Sequence, residues 1–264
     1  MGKQTDGGGE AFDRFFRELF GGRWDGLREA LLAPGDAIDY ADGLREPYRL
    51  DSASVAAARR LLLPDSGEIL DACAAPGGKS LVIASRMGPG ARLLANELSS
   101  DRRRRLSDVL DRYLPDEARA RVTVSGFDAA AAGGRASERG RFGAILLDAP
   151  CSSERHVLRD EGALAAWSPA RVKFLARRQW SLLSSAFLLL APGGCLVYAT
   201  CALSPAENDG PMRRLIEKYE GLAELDPPEA EAGAERTEYG IHYLPDVASG
   251  AGPLYVARIR KRSV

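Results

Sequence analysis

The chain has 264 residues, 45% of them hydrophobic, and its 36 basic and 37 acidic side chains leave a formal net charge of −1. That size buries one substantial core, so a single α/β sheet domain with a short extension is the expected class. The near-neutral balance excludes a whole-protein field for nucleic acid, and such a partner would have to meet a local basic patch. Four cysteines, Cys73, Cys151, Cys195 and Cys201, form no C-x-x-C pair, and with only His156 and His242 beside them no metal site is expected. Residues 1–10 are polar and glycine-rich, no apolar run is long enough to span a bilayer, and free thiols suit a reducing compartment. A soluble cytoplasmic protein with no membrane partner is therefore expected.

In chain order, Phe12, Phe15, Phe16, Leu19 and Phe20 fall at helical spacing and predict a helix with all five on one face. Its other face mixes Asp13, Arg14, Arg17 and Glu18, which favours a lid on the main domain over a membrane or partner helix. Residues 24–47 contain Pro34, Gly35, Gly43 and Pro47 and read as a linker with short helical pieces. Asp51 or Ser52 is placed to cap a helix running to Leu63, which Pro64 ends. Residues 1–65 are thus expected to form a small helical extension, and 66–264 the main domain.

From residue 68 the chain alternates strands and helices, the pattern of a parallel sheet with crossover helices. The apolar run ending at Asp71 breaks into a small, glycine-containing loop, and a helical pattern restarts at Leu81. Free N–H groups at that helix start favour a nucleotide-like or carboxylate-bearing cofactor. A P-loop would need glycine where Cys73 stands, and Gly-x-Gly-x-x-Gly is absent, so phosphate and dinucleotide cradles are disfavoured. S-adenosylmethionine is the leading candidate, because its amino-acid end can bond to free amides.

Further strands are predicted at 92–96, 122–125, 143–147 and 195–199, with helices at 101–113 and 171–190. The long second helix should bury Val172, Leu175, Leu182, Leu183, Ala186, Phe187 and Leu190, and Pro192-Gly193-Gly194 should turn the chain into the next strand. Ser204 and Glu207 have the spacing of a capping box for a helix to Tyr219. Residues 220–238 read as an acidic exposed loop, and 254–259 as a last, antiparallel strand.

Acids close the strands at Asp71, Glu97, Asp128 and Asp148, and in open α/β sheets ligands bind outside the carboxyl ends of the strands. Glu97 is placed to accept from ribose hydroxyls and Asp128 to face an adenine amino group, although acids at strand ends are also common as helix caps. Cys151 and Cys201 follow neighbouring strands and should face one cleft, whereas Cys73 and Cys195 read as buried small hydrophobes.

Three segments carry a family resemblance: Asp71-Ala72-Cys73-Ala74-Ala75-Pro76-Gly77-Gly78-Lys79, Asp148-Ala149-Pro150-Cys151, and Tyr198-Ala199-Thr200-Cys201-Ala202-Leu203-Ser204-Pro205-Ala206-Glu207-Asn208. They resemble the motifs of the Sun (Fmu) family of RNA cytosine-5 methyltransferases, over about residues 48–264, with Arg178-Gln179 and Pro192-Gly193-Gly194 included. The resemblance implies a Rossmann-like class I methyltransferase fold, a mostly parallel sheet, and S-adenosylmethionine as cofactor. It puts Ala74, Ala75, Pro76, Gly77, Gly78 and Lys79 on the cofactor's amino-acid end, Glu97 on the ribose, Asp128 by the adenine and Arg102 beside that pocket. Asp148 would contact the target base at the edge of the cofactor site. Cys201 matches the family's nucleophile, and Cys151 its second cysteine, which helps to release product.

Many members continue the Asp-Ala-Pro-Cys motif with Ser-Gly-x-Gly, whereas Ser152-Ser153-Glu154-Arg155-His156 is closer to the branch of the mitochondrial small-ribosomal-RNA enzyme. Ribosomal RNA is therefore expected ahead of transfer RNA. With no NusB-like or PUA-like domain beside the core, RNA selection is expected from residues 1–65, from surface arginines or from an accessory protein, on a monomer. Arg102 to Arg105 and the basic residues of 258–262 are the densest positive runs. His156 and the Phe-rich helix are disfavoured as walls of the base pocket. One rival is a DNA cytosine-5 methyltransferase with Cys151 as nucleophile, which would need a long target-recognition domain. Another is a catalytically silent RNA-binding ribosome assembly factor, against which Cys201, Asp148 and the cofactor loop argue.

Overall fold

The central strands are apolar at consecutive positions, and the computed structural model, which describes residues 8–226 and 232–263, shows why. Ile69 and Leu70 are both fully buried, on opposite faces of one sheet. Ile69 joins a core with Leu146, Val197 and Val256, while Leu70 joins another with Leu147, Leu196 and Tyr198. A parallel sheet covered on both faces has no solvent side to leave polar.

Two helices, α1 (Gly8–Phe20) and α2 (Trp24–Leu32), lead into a hairpin of β1 (Ala37–Tyr40) and β2 (Tyr48–Asp51) and then helix α3 (Ser52–Arg59). The alternating part begins with β3 (Ser66–Asp71), α4 (Gly78–Arg86), β4 (Gly90–Asn96), α5 (Ser100–Tyr113), α6 (Asp116–Arg119) and β5 (Val122–Ser125). It continues through α7 (Ala129–Ala132), β6 (Phe142–Asp148), α8 (Glu154–Arg159), α9 (Glu161–Ala165) and the long α10 (Pro169–Leu189). β7 (Leu190–Thr200), α11 (Asp209–Lys218), β8 (Ala223–Leu225), β9 (Ala234–Arg236), β10 (Ile241–Tyr243) and β11 (Leu254–Lys261) follow.

The sheet order is β5-β4-β3-β6-β7-β11-β10-β9, with β8 on the edge of β11. Strands β3 to β7 run parallel, and β11 pairs antiparallel with β7 in the register Ala257↔Tyr198. Chain order reverses at β3, which lies between β4 and β6. A crevice forms at the carboxyl ends on either side of such a switch point.

The segment before β3 builds one wall of that crevice. Phe12, Phe16, Trp24, Leu27 and Leu31 pack with Val157, Leu158, Trp167 and Leu203, so α1 and α2 back the loops that follow Cys151 and Cys201. Leu19 stands 44% exposed, because the buried stripe is narrower than the five-residue face the spacing suggested. The β1–β2 hairpin occupies part of the presumed linker. Helix α3, capped by the Asp51 carboxylate on Ser54 N, stops at Arg59 and not at Leu63, because its end tightens into an i→i−3 bond from Leu61 N to Ala58 O.

Three other expectations shift. Pro192-Gly193-Gly194 does not precede β7 but lies within it, looped out as a bulge between the pairs Phe142↔Leu190 and Ala144↔Cys195. Ser204 and Glu207 form no capping box: α11 starts at Asp209 without a side-chain cap, and Glu207 turns inward to Ser152 and Gln179. The acidic segment after α11 contributes β8 and β9 to the sheet, and its residues 227–231 lie outside those described.

Candidate active site

The loop between β3 and α4 is braced from both sides. Gly77 adopts φ +120, where a Cβ would sit 3.0 Å from Val109 Cγ1, so glycine is required for both conformation and space. Ala74 N donates to Asn96 O at 2.9 Å, and Arg102 Nη2 donates to Ala75 O at 2.8 Å. Arg102 thus holds the loop from below, with its guanidinium 3.5 Å from Glu97. Asp71, at the end of β3, takes a 2.6 Å hydrogen bond from Ser80 Oγ, and burial pushes its carboxyl up to about 7. Its Oδ1 is buried with no hydrogen-bond partner, while the Cys73 amide favours the ionised form of the carboxyl.

The ends of β6 and β7 bring the two cysteines together. Asp148 is registered against Ala199, and Ala149 N donates to Ala199 O at 2.9 Å. The loops that follow place Cys151 Sγ 2.7 Å from Cys201 Sγ, with Ser153 Oγ 3.4 Å from the first and 3.2 Å from the second. Ser153 holds the left-handed conformation at φ +56, a strained choice for a serine that turns its hydroxyl toward both thiols. Contact with Cys151 and the Ser153 hydroxyl holds the Cys201 thiol below its usual value. The same contact, with burial, pushes Cys151 well above it.

Lys79, from the first turn of α4, donates to Asp148 Oδ2 at 2.8 Å. Burial works to lower the Lys79 ammonium, yet the Asp148 carboxylate outweighs it and holds the pKa above the usual lysine value. Lys79 therefore does two things the sequence did not pair: it lies at the cofactor loop and it fixes Asp148.

Three cavities meet here. One of about 450 Å³ is lined by Cys73, Asn96, Glu97, Arg102, Phe127 and Asp128, with Phe174 and Arg178 of α10 at its side. One of about 720 Å³ is lined by Asp51, Lys79, Asp148, Ser153, Cys201 and the side chains of Arg49, Arg155, His156 and Arg159. A small one of about 50 Å³, walled by Asp71, Cys73, Ala74, Ala75, Pro76, Gly78, Lys79 and Asp148, shares residues with both. Lys79 and Asp148 thus stand between an arginine-rimmed cleft and the small cavity, which reaches the pocket of nucleoside size at Cys73.

Most of the predicted site residues converge on these cavities, but with differences. Glu97 and Asp128 share the 450 Å³ cavity while also accepting backbone N–H groups: Asp128 caps α7 through Ala130 N, whereas Glu97 holds the N–H of Ser99, itself the cap of α5. Cys195 is buried as expected, whereas Cys73 is half-buried and lines the cavities. His156 lines the large cleft, while the Phe-rich helix stays in the core behind it.

The densest basic runs are largely occupied. Arg103 donates to Glu97 O and Leu98 O, Arg104 pairs with Asp101, Arg258 and Arg260 pair with Asp226, and Arg262 with Glu224. Arg155 and Arg159 also bond to carbonyls, of Gly250 and of Leu32 and Ala33, and both line the large cleft, where Asp51 is the carboxylate that acts on Arg155. No spacing marked them, because their place depends on Gly35 and Gly250, where a Cβ on Gly35 would lie 2.5 Å from Arg155 Nη1. Among the described residues no group of three or more His, Cys, Asp or Glu is placed to hold a metal, and no helix is long and apolar enough to cross a membrane.

Comparison with known proteins gives a family to this arrangement. The model of the family described as 16S rRNA methyltransferase RsmB/F matches residues 59–260. The ribosomal RNA small subunit methyltransferase F of Aeromonas salmonicida is 37% identical over 249 residues, covering 91% of this chain and 50% of that protein. Its counterpart in Aeromonas hydrophila is 42% identical over 201 residues, 74% of this chain and 40% of that one. This chain therefore spans about half the length of the curated relatives it matches. Among solved structures, a methyltransferase homolog protein from Pyrococcus horikoshii superposes with a TM-score of 0.72 at 22% identity, over 95% of this chain and 94% of that one. NSun6 from Pyrococcus horikoshii, solved with SFG, an S-adenosylmethionine analogue, matches with a TM-score of 0.69 at 26% identity, over 85% and 55% of the two chains. The fold is that of the Rossmann-like methyltransferases.

Proposed function

This chain belongs to the RsmB/F family of 16S rRNA methyltransferases, and from that premise we propose that it methylates C5 of a cytosine in ribosomal RNA through a covalent adduct between Cys201 and C6. S-adenosylmethionine is the methyl donor in this reading. The observation that carries it is the contact of Cys151 with Cys201, which lines the large cleft together with the Lys79–Asp148 pair, beside a small cavity that shares Cys73 with the 450 Å³ one. Residues 66–264 form the methyltransferase domain, and residues 1–65 an extension that lends Pro34, Gly35, Ala37, Arg49 and Asp51 to the substrate cleft.

The residues fit such a cofactor. The buried, unpartnered Asp71 Oδ1 beside the Cys73–Gly78 loop is an acceptor in want of a donor, and an amino-acid ammonium group supplies one. Glu97 and Asp128 would take the ribose and adenine, and Ala74, Ala75, Pro76, Gly77, Gly78 and Lys79 the amino-acid end. When bound, the cofactor supplies an electrophilic sulfonium methyl.

Cytosine C5 is a poor nucleophile until C6 is attacked. The Cys201 thiolate adds to C6, and the electrons of the C5–C6 double bond become an enamine that takes the methyl at C5. Asp148 serves the N3 side of the ring, where that addition raises electron density. Water takes the C5 proton, the C5–C6 double bond reforms as the C6–S bond breaks, and the Cys201 thiolate leaves, a release that Cys151 assists. Arg49, Arg155 and Arg159 at the rim would meet RNA phosphates, so binding should weaken with added salt.

RNA transcripts of the small subunit carrying tritium at cytosine C5 test the reading directly. Each methyl transferred should release one C5 hydrogen to water, and methylation without tritium release would assign the reaction to another atom. In calorimetry, Glu97→Ala and Asp128→Ala should each weaken S-adenosylmethionine binding by about 5- to 150-fold, the equivalent of about 1–3 kcal/mol for a lost hydrogen bond. Unchanged affinity in both variants would remove the assignment of the 450 Å³ cavity to the adenosine end.

A further inference from the structure

Two buried carboxyl groups lie beneath the cysteines and have no part in the chemistry above. Glu154 opens α8 and Glu207 follows β7, and both residues are 0% exposed. The Ser152 hydroxyl contacts Glu154 Oε1 and, at 2.5 Å, Glu207 Oε1. A hydroxyl has one proton to give and two lone pairs to accept with. Ser152 can therefore donate to only one of the two carboxyls, and the other must present a proton of its own. Glu207 receives N–H donors from Ser152 at 3.0 Å and Gln179 at 2.8 Å, both of which favour its ionised form. Glu154 receives Leu203 N at 3.0 Å, with its own amide also acting on it, but it has no counterpart to the Gln179 amide or to Arg171, so it is the group that carries the proton.

We propose that Glu154, as a neutral carboxylic acid, is a positioning residue that locks the loops bearing Cys151 and Cys201 together through Ser152 and Glu207. Its reach covers both loops: Ser152 adjoins Cys151, while Leu203 lies just past Cys201. Gln179 completes the frame, since its Nε2 also donates to Pro150 O at 2.9 Å. The functional meaning of this lock rests on the two-cysteine reaction proposed above.

The groups that face the pair do not remove the need for a proton. Burial raises Glu207 too, but Arg171 from α10 favours its ionised form, Tyr198 of β7 gives its hydroxyl to Glu207 O, and the two thiols would be disfavoured as anions by an ionised Glu154. Burial, with the Glu207 charge next, raises Glu154 to about 7. Loss of its proton leaves two carboxylates on one hydroxyl in a dry core, and their repulsion parts the loops.

The test uses the full chain without RNA or methyl donor, so its outcome is independent of whether the protein methylates cytosine. Diamide oxidises the two thiols to a disulfide, its diazene accepting both hydrogens to become a hydrazine, and peptide mapping identifies the Cys151–Cys201 link. Glu154→Gln preserves the neutral arrangement, because its amide donates to Ser152 and accepts from Leu203 N. Wild type and Glu154→Gln should oxidise at equal rates at pH 6, and wild type should fall behind by on the order of tenfold by pH 8.5. A second readout follows from the sign of the shift. A carboxyl whose folded pKa is raised to about 7 costs stability progressively as pH rises from its unfolded value, near 4.5, through 7. The Tm of Glu154→Gln relative to wild type should therefore climb by roughly 4 °C between pH 4.5 and pH 7.5. Parallel oxidation profiles for the two proteins would overturn the lock, and a Tm difference constant across that range would overturn the protonation on which it depends.

Discussion

Cys201→Ala is expected to lower methyl transfer by roughly four to six orders of magnitude, the scale on which removal of a covalent nucleophile acts. Alanine leaves nothing to add at C6, so C5 stays a poor nucleophile however well the methyl donor is held. The asymmetry of the thiols supports this assignment over Cys151. Cys201 lines the large cleft with Lys79, and contact with Cys151 and Ser153 holds it below the usual thiol range, whereas Cys151 is pushed above it. Iodoacetamide should accordingly alkylate Cys201 at lower pH than Cys151 in the free protein, as read by peptide mass. Alkylation of Cys151 first would reverse the roles.

Asp148→Asn should cost roughly 100- to 1,000-fold in kcat with a smaller change in KM, the signature of a contact that strengthens as charge develops on the ring. The side chain keeps its shape but loses its charge and its capacity to carry a proton. Lys79, most of whose side chain is buried, loses the carboxylate that holds it in place at 2.8 Å. An unaltered kcat would place Asp148 in structure alone, as the partner of Lys79.

The parts of the fold that could be read from the sequence are those whose physics is local. Strands such as 143–147 are buried on both faces, so they appear as unbroken apolar runs and their carboxyl ends can be located to within a residue. Two neighbouring strand ends then brought Cys151 and Cys201 together, though only Cys201 lines the large cleft. The β1–β2 hairpin was not legible, because its four-residue strands Ala37–Tyr40 and Tyr48–Asp51 mix apolar and polar residues with no clean alternation. The spacing of Ser204 and Glu207 matched a capping box and misled for a different reason. Glu207 finds Ser152 and Gln179, distant in sequence and next to it in space, and three buried donors outweigh one helix-end N–H. Arg155 and Arg159 were hidden in the same way, since their approach to the cleft is set by the carbonyls of Gly250, Leu32 and Ala33.

The central claim is that Cys201 attacks and Cys151 lets the product go, and a denaturing gel tests it most directly. Wild type, Cys151→Ala and Cys201→Ala, each as the full chain, are incubated with labelled small-subunit RNA and S-adenosylmethionine and then boiled in detergent. Cys151→Ala should accumulate a denaturation-resistant protein–RNA band that carries the transferred methyl, because attack and methylation proceed and release does not. Cys201→Ala should form no such band. Capture by Cys201→Ala and its loss in Cys151→Ala would make Cys151 the nucleophile, and undiminished methyl transfer by both variants would contradict cysteine addition altogether.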